Sequence, residues 1–243
     1  MTTEINSQLR ENLAKVRANI AAAARRSGRQ ESDIALVGVT KTVEAKIAQM
    51  LVAAGCRDLG ESRPQELWAK ATAIHDPSPE NAIRWHMIGH LQRNKVRRTL
   101  PLVSLIHSVD SLRLLEEIDR EARTLERPAA VLLEVNISGD QTKHGFGPNE
   151  VEPQFSEMAK LEHVTIQGLM CMASREGDLV QARREFATLR ELRDRLQRTA
   201  PPNIRLTELS MGMSGDYEIA IDEGATMVRV GSALVEGVVR TAT

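Results

Sequence analysis

A lysine, two segments rich in glycine and serine, and an arginine carry the chemistry legible in this chain. Lys41 lies near the end of LVGVTKT, residues 36–42, a run of small apolar and β-branched residues. An ammonium group at the rim of such a run loses hydration, and the neutral amine, the nucleophile a carbonyl needs, becomes easier to reach at neutral pH. SMGMSGD, residues 210–216, offers the hydroxyls of Ser210 and Ser214 and two glycines ahead of a helical stretch, so backbone N–H groups and a helix start can hold an anion. In MVRVGSALVEG, residues 227–237, Arg229, Gly231 and Ser232 follow an apolar run in the same way. Singly these are ordinary turn chemistry: a lysine opening a loop into water, glycine for positive φ, serine as a cap. Together they point to a phosphorylated carbonyl compound.

Such groups need elements to bring them together. Residues 6–28 place Leu9, Leu13, Val16 and Ile20 on one helical face, ending near Gly28. Eight strand-like runs follow, at 34–39, 56–60, 83–88, 102–109, 130–137, 164–170, 204–209 and 225–231. Between them lie helical patterns, such as 111–125 with Leu115, Ile118 and Ala122 on one face, and 178–198 with Ala182, Phe186, Leu189 and Leu196 on another. Strand and helix in alternation predict βαβ units and a parallel sheet. The fold expected is α/β, a single (β/α)8 TIM barrel with an extra N-terminal helix; an open doubly wound sheet shares the local pattern. No linker or repeat divides residues 1–243, so one domain is expected. The barrel places Lys41 at the C-terminal end of the first strand, the face on which barrel enzymes carry their sites, and the other two segments at strands seven and eight, the usual phosphate position. GESRPQE at 60–66, IGHLQRNK at 88–95 and VNISGDQTKHGF at 135–146 fall at the same ends of other strands.

Composition removes several classes of function. The 32 basic residues nearly balance 33 acidic ones, which disfavours nucleic acid and anionic membrane as partners. The basic stretch QRNKVRR, residues 92–98, has no interleaved aromatic residue and reads as a solvated helix face. No apolar run approaches the roughly 18 residues of a membrane span. Cys56 and Cys171 lie far apart with no CxxC context, so neither is expected in a disulfide and a reducing, cytoplasmic setting is expected. His86 and His90 flank a strand-to-loop junction without a third ligand, so no metal is expected.

In order and spacing LVGVTKT, GESRPQEL, WHMIGHLQRNK, VNISGDQTKHGF, GLMCM, LSMGMSGDYEIAI and TMVRVGSAL resemble the pyridoxal phosphate homeostasis proteins over nearly the whole chain. The resemblance implies a barrel similar to the N-terminal domain of alanine racemase, carrying pyridoxal 5'-phosphate as an aldimine. It makes Lys41 the Schiff-base lysine, Ser214, Gly231 and Ser232 phosphate ligands, and Arg229 the partner of the pyridine nitrogen. Ser210 and Met211 would belong to the same strand-seven wall. Two positions depart from the family: Ser62 and Arg63 stand where an asparagine and an aromatic are frequent, and Gly215 takes an acidic-type position. A guanidinium at the ring nitrogen makes the ring a weaker electron sink. Racemases of this kind use a tyrosine base from an additional domain, which is not expected here, and the sole tyrosine of the sequence, Tyr217, adjoins the expected phosphate loop. The expectation is a monomeric cofactor-binding homeostasis protein, with apoenzymes as partners and no robust catalysis. An amino-acid racemase-like enzyme and a Schiff-base sugar-phosphate aldolase stay open as alternatives.

Overall fold

The structure, a computed structural model, describes residues 2–74, 82–140, 144–174 and 177–238. Eight parallel strands, β1 Ala35–Val39, β2 Asp58–Glu61, β3 Arg84–Met87, β4 Leu105–Val109, β5 Ala129–Glu134, β6 Val164–Met170, β7 Glu208–Ser210 and β8 Met227–Val230, pair in chain order. The last pairs with the first, Ala35 opposite Met227 and Gly38 opposite Val230, which closes the sheet into a barrel and settles the choice against an open one. Helices alternate with the strands: α2 Ala45–Ala53, α3 Pro64–Ala73, α4 Arg93–Thr99, α5 Leu112–Thr124, α6 Phe155–Met158, α7 Leu179–Thr199 and α8 Tyr217–Asp222. The extra helix α1, Thr2–Arg26, buries Leu9, Leu13, Val16 and Ile20, the face its periodicity marked.

Two side chains of α1 tie it to the working end of the chain. Asn12 donates to the carbonyl oxygens of Leu234 and Glu236 at 3.1 and 2.9 Å, just beyond β8. Asn19 donates to the Tyr217 hydroxyl at 3.0 Å, at the start of α8.

Successive strand side chains alternate between the barrel interior and the helix layer. The large apolar cluster joins Ile106, Leu133, Leu169, Leu209 and Val228 of the strands to the helices, while Leu105, Leu132 and Met170 form a second, smaller cluster. The segment 204–209 extends as a strand only from Glu208. Leu206 is the reason: its N–H is taken by the side-chain oxygen of Gln197 on α7 at 2.6 Å, so this residue bonds to a helix instead of a strand. Cys56 and Cys171 are buried and neither forms a disulfide; burial pushes the Cys56 thiol up to about 12.

Candidate functional site

A pocket of about 460 Å³ opens at the C-terminal rim, where β1, β2, β3, β6, β7 and β8 all end. Its size suits a small phosphorylated ligand. Lys41, Ser214, Arg229, Gly231 and Ser232, separated by up to 191 positions in the chain, line it together. Ser210 and Met211 do not line it: both are fully buried, Ser210 against His107 and Arg229, and Met211 in the large apolar cluster. A cleft of about 870 Å³ opens elsewhere, where β1, β2 and β3 begin, and none of the expected site residues lines it.

Lys41 follows β1 by two residues and its side chain is exposed at the lip of the pocket, not desolvated as the apolar run before it leads one to expect. The strand is buried, and the chain has turned outward by the time it reaches Lys41. What holds this turn is a buried clamp on the residue before it. Lys70 of α3 donates to the Thr40 carbonyl at 2.7 Å and to Glu61 Oε1 at 2.5 Å, while Thr40 Oγ1 donates to the same carboxylate oxygen at 2.7 Å. Glu61 Oε2 is buried without a hydrogen-bond partner among the described residues. Glu61 and Lys70 lie nine positions apart on different elements, and neither was marked by its type or spacing.

Ser214 joins the two segments rich in glycine and serine. Its Oγ accepts the N–H of Gly231 at 3.0 Å and that of Ala233 at 3.4 Å. A hydroxyl has two acceptor positions and one hydrogen, so this arrangement leaves Ser214 its O–H to donate. The loop before it turns at Gly212, whose φ of +91° suits glycine and whose carbonyl accepts the Arg229 N–H at 3.0 Å. Gly231 packs closely on β1: a Cβ there would lie 3.3 Å from both Cβ and O of Val39.

Arg229 is buried on the pocket floor, donating from Nη1 to Ser210 Oγ at 2.6 Å and from Nη2 to the Cys171 carbonyl at 2.9 Å. Burial pulls its pKa down, opposed by Cys171, Glu134 and Asp216. Burial raises the Glu134 carboxyl, with Asp110 adding to the rise and His144 and Arg229 opposing it. Tyr217 is buried beside Asn19 and does not line the pocket, and Ser62, one of the two departures, lines it where Arg63 does not.

His90 and His144 both face Asp110 Oδ2, at 3.0 and 3.7 Å through Nδ1, the one group of donors among the described residues gathered closely enough for a cation. Their rings stack at 4.1 Å and 16°. A cation in the plane of one ring therefore lies well out of the plane of the other, and the trio reads as two imidazoles sharing a carboxylate. Gln141, Thr142 and Lys143 of the same loop lie outside the described residues.

His107 is expected to make the fold sensitive to acid. Its pKa is held well below the ordinary value, by burial first and then by His86 and Arg229. The unfolded chain takes up a proton as the pH falls through the ordinary histidine value and the folded chain does not, so stability present above that value is lost below it, at up to about 1.4 kcal/mol per pH unit. Between about pH 7.5 and about pH 5.5, the window of the ordinary histidine value, the urea midpoint should fall, and fall less steeply in His107→Gln. An equal slope in that variant would assign the acid sensitivity to another group.

Residues 12–237 match the family model described as alanine racemase, N-terminal domain. The chain is 40% identical over 224 residues to the pyridoxal phosphate homeostasis protein of Aquifex aeolicus, covering 92% of this chain and 96% of that one. It is 36% identical over 228 residues to the protein of the same description from Pseudomonas aeruginosa, covering 94% and 95%. Among solved structures it is similar to PipY of Synechococcus elongatus with PLP bound, at a TM-score of 0.82 and 35% identity, covering 93% of this chain and 99% of PipY.

Proposed function

The chain belongs to the pyridoxal phosphate homeostasis proteins, on the barrel of the alanine racemase N-terminal domain, and from that premise we propose that its rim pocket binds pyridoxal 5'-phosphate. The observation that carries the proposal is the convergence in one pocket of an amine, Lys41, an anion cradle, Ser214, Gly231 and Ser232, and a buried guanidinium, Arg229. The residues fit the cofactor in three respects. Ser214 retains a donor after both acceptor positions are filled by backbone N–H groups. Gly231 leaves open the space a side chain would fill against Val39. The amine and the Gly231–Ser232 part of the cradle follow adjacent strands, since β1 pairs with β8. Ser210 contributes from beneath, as the acceptor for Arg229, and Met211 from the packing that holds the end of β7.

Pyridoxal phosphate supplies an aldehyde that an amine can hold and, when its ring nitrogen is protonated, a sink for electrons released at an amino-acid α-carbon. The residues here support the first use and not the second. Arg229 offers N–H groups and no lone pair, so it would donate a hydrogen bond to a ring nitrogen facing it and would not supply a carboxylate to favour its protonation. Lys41 and Arg229 are the only ionisable side chains among the described residues that line the pocket, which leaves no second base beside Lys41. The Tyr217 hydroxyl is engaged by Asn19. We read the protein as one that holds and delivers the cofactor, a single domain over residues 1–243 acting as a monomer, with pyridoxal-phosphate-dependent apoenzymes as recipients. The buried, unbridged cysteines support a cytoplasmic setting. No helix among the described residues is long and apolar enough to cross a membrane.

The test is to incubate the cofactor-loaded protein with L-alanine in heavy water, following the α-proton by NMR, and separately with an apoenzyme, following recovery of its activity. Transfer without α-proton exchange is expected. Exchange at an enzyme-like rate that Lys41→Ala abolishes would replace this reading with a racemase-like one.

A further inference from the structure

A file of polar side chains crosses the barrel interior, where barrels ordinarily stack branched apolar residues. It begins at Asp58, the first residue of β2, which Arg84 of β3 holds through two hydrogen bonds at 2.6 and 2.5 Å. Asp58 Oδ1 lies 3.0 Å from His86 Nε2, His86 Nδ1 lies 2.9 Å from His107 Nε2, and His107 Nδ1 lies 2.8 Å from Ser210 Oγ. Ser210 in turn accepts from Arg229. His86, His107, Ser210 and Arg229 are each at most 5% exposed, while Asp58 lines the cleft at the opposite end of the barrel from the pocket.

We propose that Asp58, His86, His107 and Ser210 are positioning residues for Arg229, and that their hydrogen bonds run in one direction, from the guanidinium to the carboxylate. The two ends, together with neutral imidazoles between them, dictate the direction. Arg229 can only donate, and an ionised Asp58 can only accept. Burial alone would raise the Asp58 carboxyl, but the hydrogen bonds from His86 and Arg84 outweigh it and hold the group below the ordinary range. His86 therefore carries its proton on Nε2, toward Asp58, and presents a lone pair at Nδ1. His107 then carries its proton on Nε2, toward His86, and its Nδ1 lone pair accepts the Ser210 hydrogen. With both rings neutral, this assignment satisfies every contact. The reverse would need an extra proton on His86 and would turn a His107 N–H toward the oxygen that Arg229 already addresses.

The consequence is felt at the guanidinium. Because Ser210 donates to His107, its lone pairs are left for Arg229, and Ser210 Oγ with the Cys171 carbonyl gives the planar group two fixed acceptors. Rotation of the guanidinium would break one of them, so its remaining N–H groups keep a set direction. The effect on cofactor rests on the placing of Arg229 at the ring nitrogen proposed above; the direction of the hydrogen bonds does not.

Two measurements test this. In the cofactor-free protein, nitrogen-15 NMR of the histidine rings should find His86 and His107 neutral with the proton on Nε2; a His107 proton on Nδ1 would overturn the proposal. In the loaded protein, His107→Gln can keep the direction, amide oxygen toward Ser210 and NH2 toward His86, and should keep the wild-type absorption band and retention within about twofold. His107→Leu should shift the band and weaken retention about tenfold, the loss of one well-aimed hydrogen bond to a charged group. If His107→Leu does not fold, Ser210→Ala, which removes one hydroxyl, is expected to do the same. Unchanged bands and retention in both variants would defeat the positioning role. A wild-type protein that takes up no cofactor would defeat the pocket assignment, and the ring NMR would still decide the direction of the chain.

Discussion

Borohydride treatment of the pyridoxal-phosphate-loaded protein is expected to fix a pyridoxyl group on Lys41, and Lys41→Ala should reduce that label to background. The buried clamp is the reason for expecting a single site. Thr40 is held by its carbonyl through Lys70 and by its hydroxyl through Glu61, so the chain leaves β1 in a set direction and brings the next side chain to the pocket lip. The competing amines are placed for other work. Lys70 is buried and paired with Glu61, and a buried amine so engaged cannot attack a carbonyl without breaking an ion pair whose loss costs about 3–5 kcal/mol. Lys95 lies 5.8 Å from the Trp68 ring centroid, outside the pocket. Peptide mapping decides the matter. Label on Lys95 or Lys143, with Lys41 unmodified, would move the site.

The exposure of Lys41 changes the reason given for its reactivity, and shows where reading along a chain stops. The eight strands and the long helices are legible because apolar spacing records burial directly, whereas eight such units fit a barrel or an open sheet, and the pairing of β8 with β1 decides between them. The strand-end positions of Lys41, Ser214, Gly231 and Ser232 followed from that count. Side-chain exposure at a strand end did not, because it depends on the turn one or two residues on. Ser210 and Met211 illustrate the same limit: the last residue of β7 and the one after it have different partners, Arg229 for one and the apolar layer for the other, and a motif that names both cannot tell which does which.

Residues whose partners lie on other elements leave no mark in the local spacing. His86 was weighed as a metal ligand with His90 because the two are four apart, yet the structure sends them to different places. His86 faces into the barrel toward Asp58 and His107, and His90 faces out toward Asp110. The spacing was a coincidence of a strand end. Glu61 and Lys70 escaped for a similar reason, since a buried pair formed between β2 and α3 leaves no periodic trace.

Gly231→Asp is expected to abolish cofactor retention, on the order of 1,000-fold, where Ser214→Ala weakens it roughly 10- to 100-fold. The inequality follows from what each change does to the anion cradle. Ser214→Ala removes one hydroxyl. That takes away one hydrogen bond to a charged group, about 1.5–3 kcal/mol, and releases the N–H groups of Gly231 and Ala233, which can then turn to the phosphate and recover part of the loss. At Gly231 a Cβ would already lie 3.3 Å from Cβ and O of Val39, closer than ordinary packing, and the carboxylate beyond it would add charge of the same sign as the ligand. Gly231→Ala separates the two contributions, since it has the bulk without the charge and should fall between the other variants. Equilibrium dialysis with absorbance detection gives all three values. Normal retention by both Gly231→Asp and Ser214→Ala would place the phosphate away from β7 and β8. An equal loss in Gly231→Ala and Gly231→Asp would mean that the close approach to Val39, and not the sign of the charge, governs entry to the cradle.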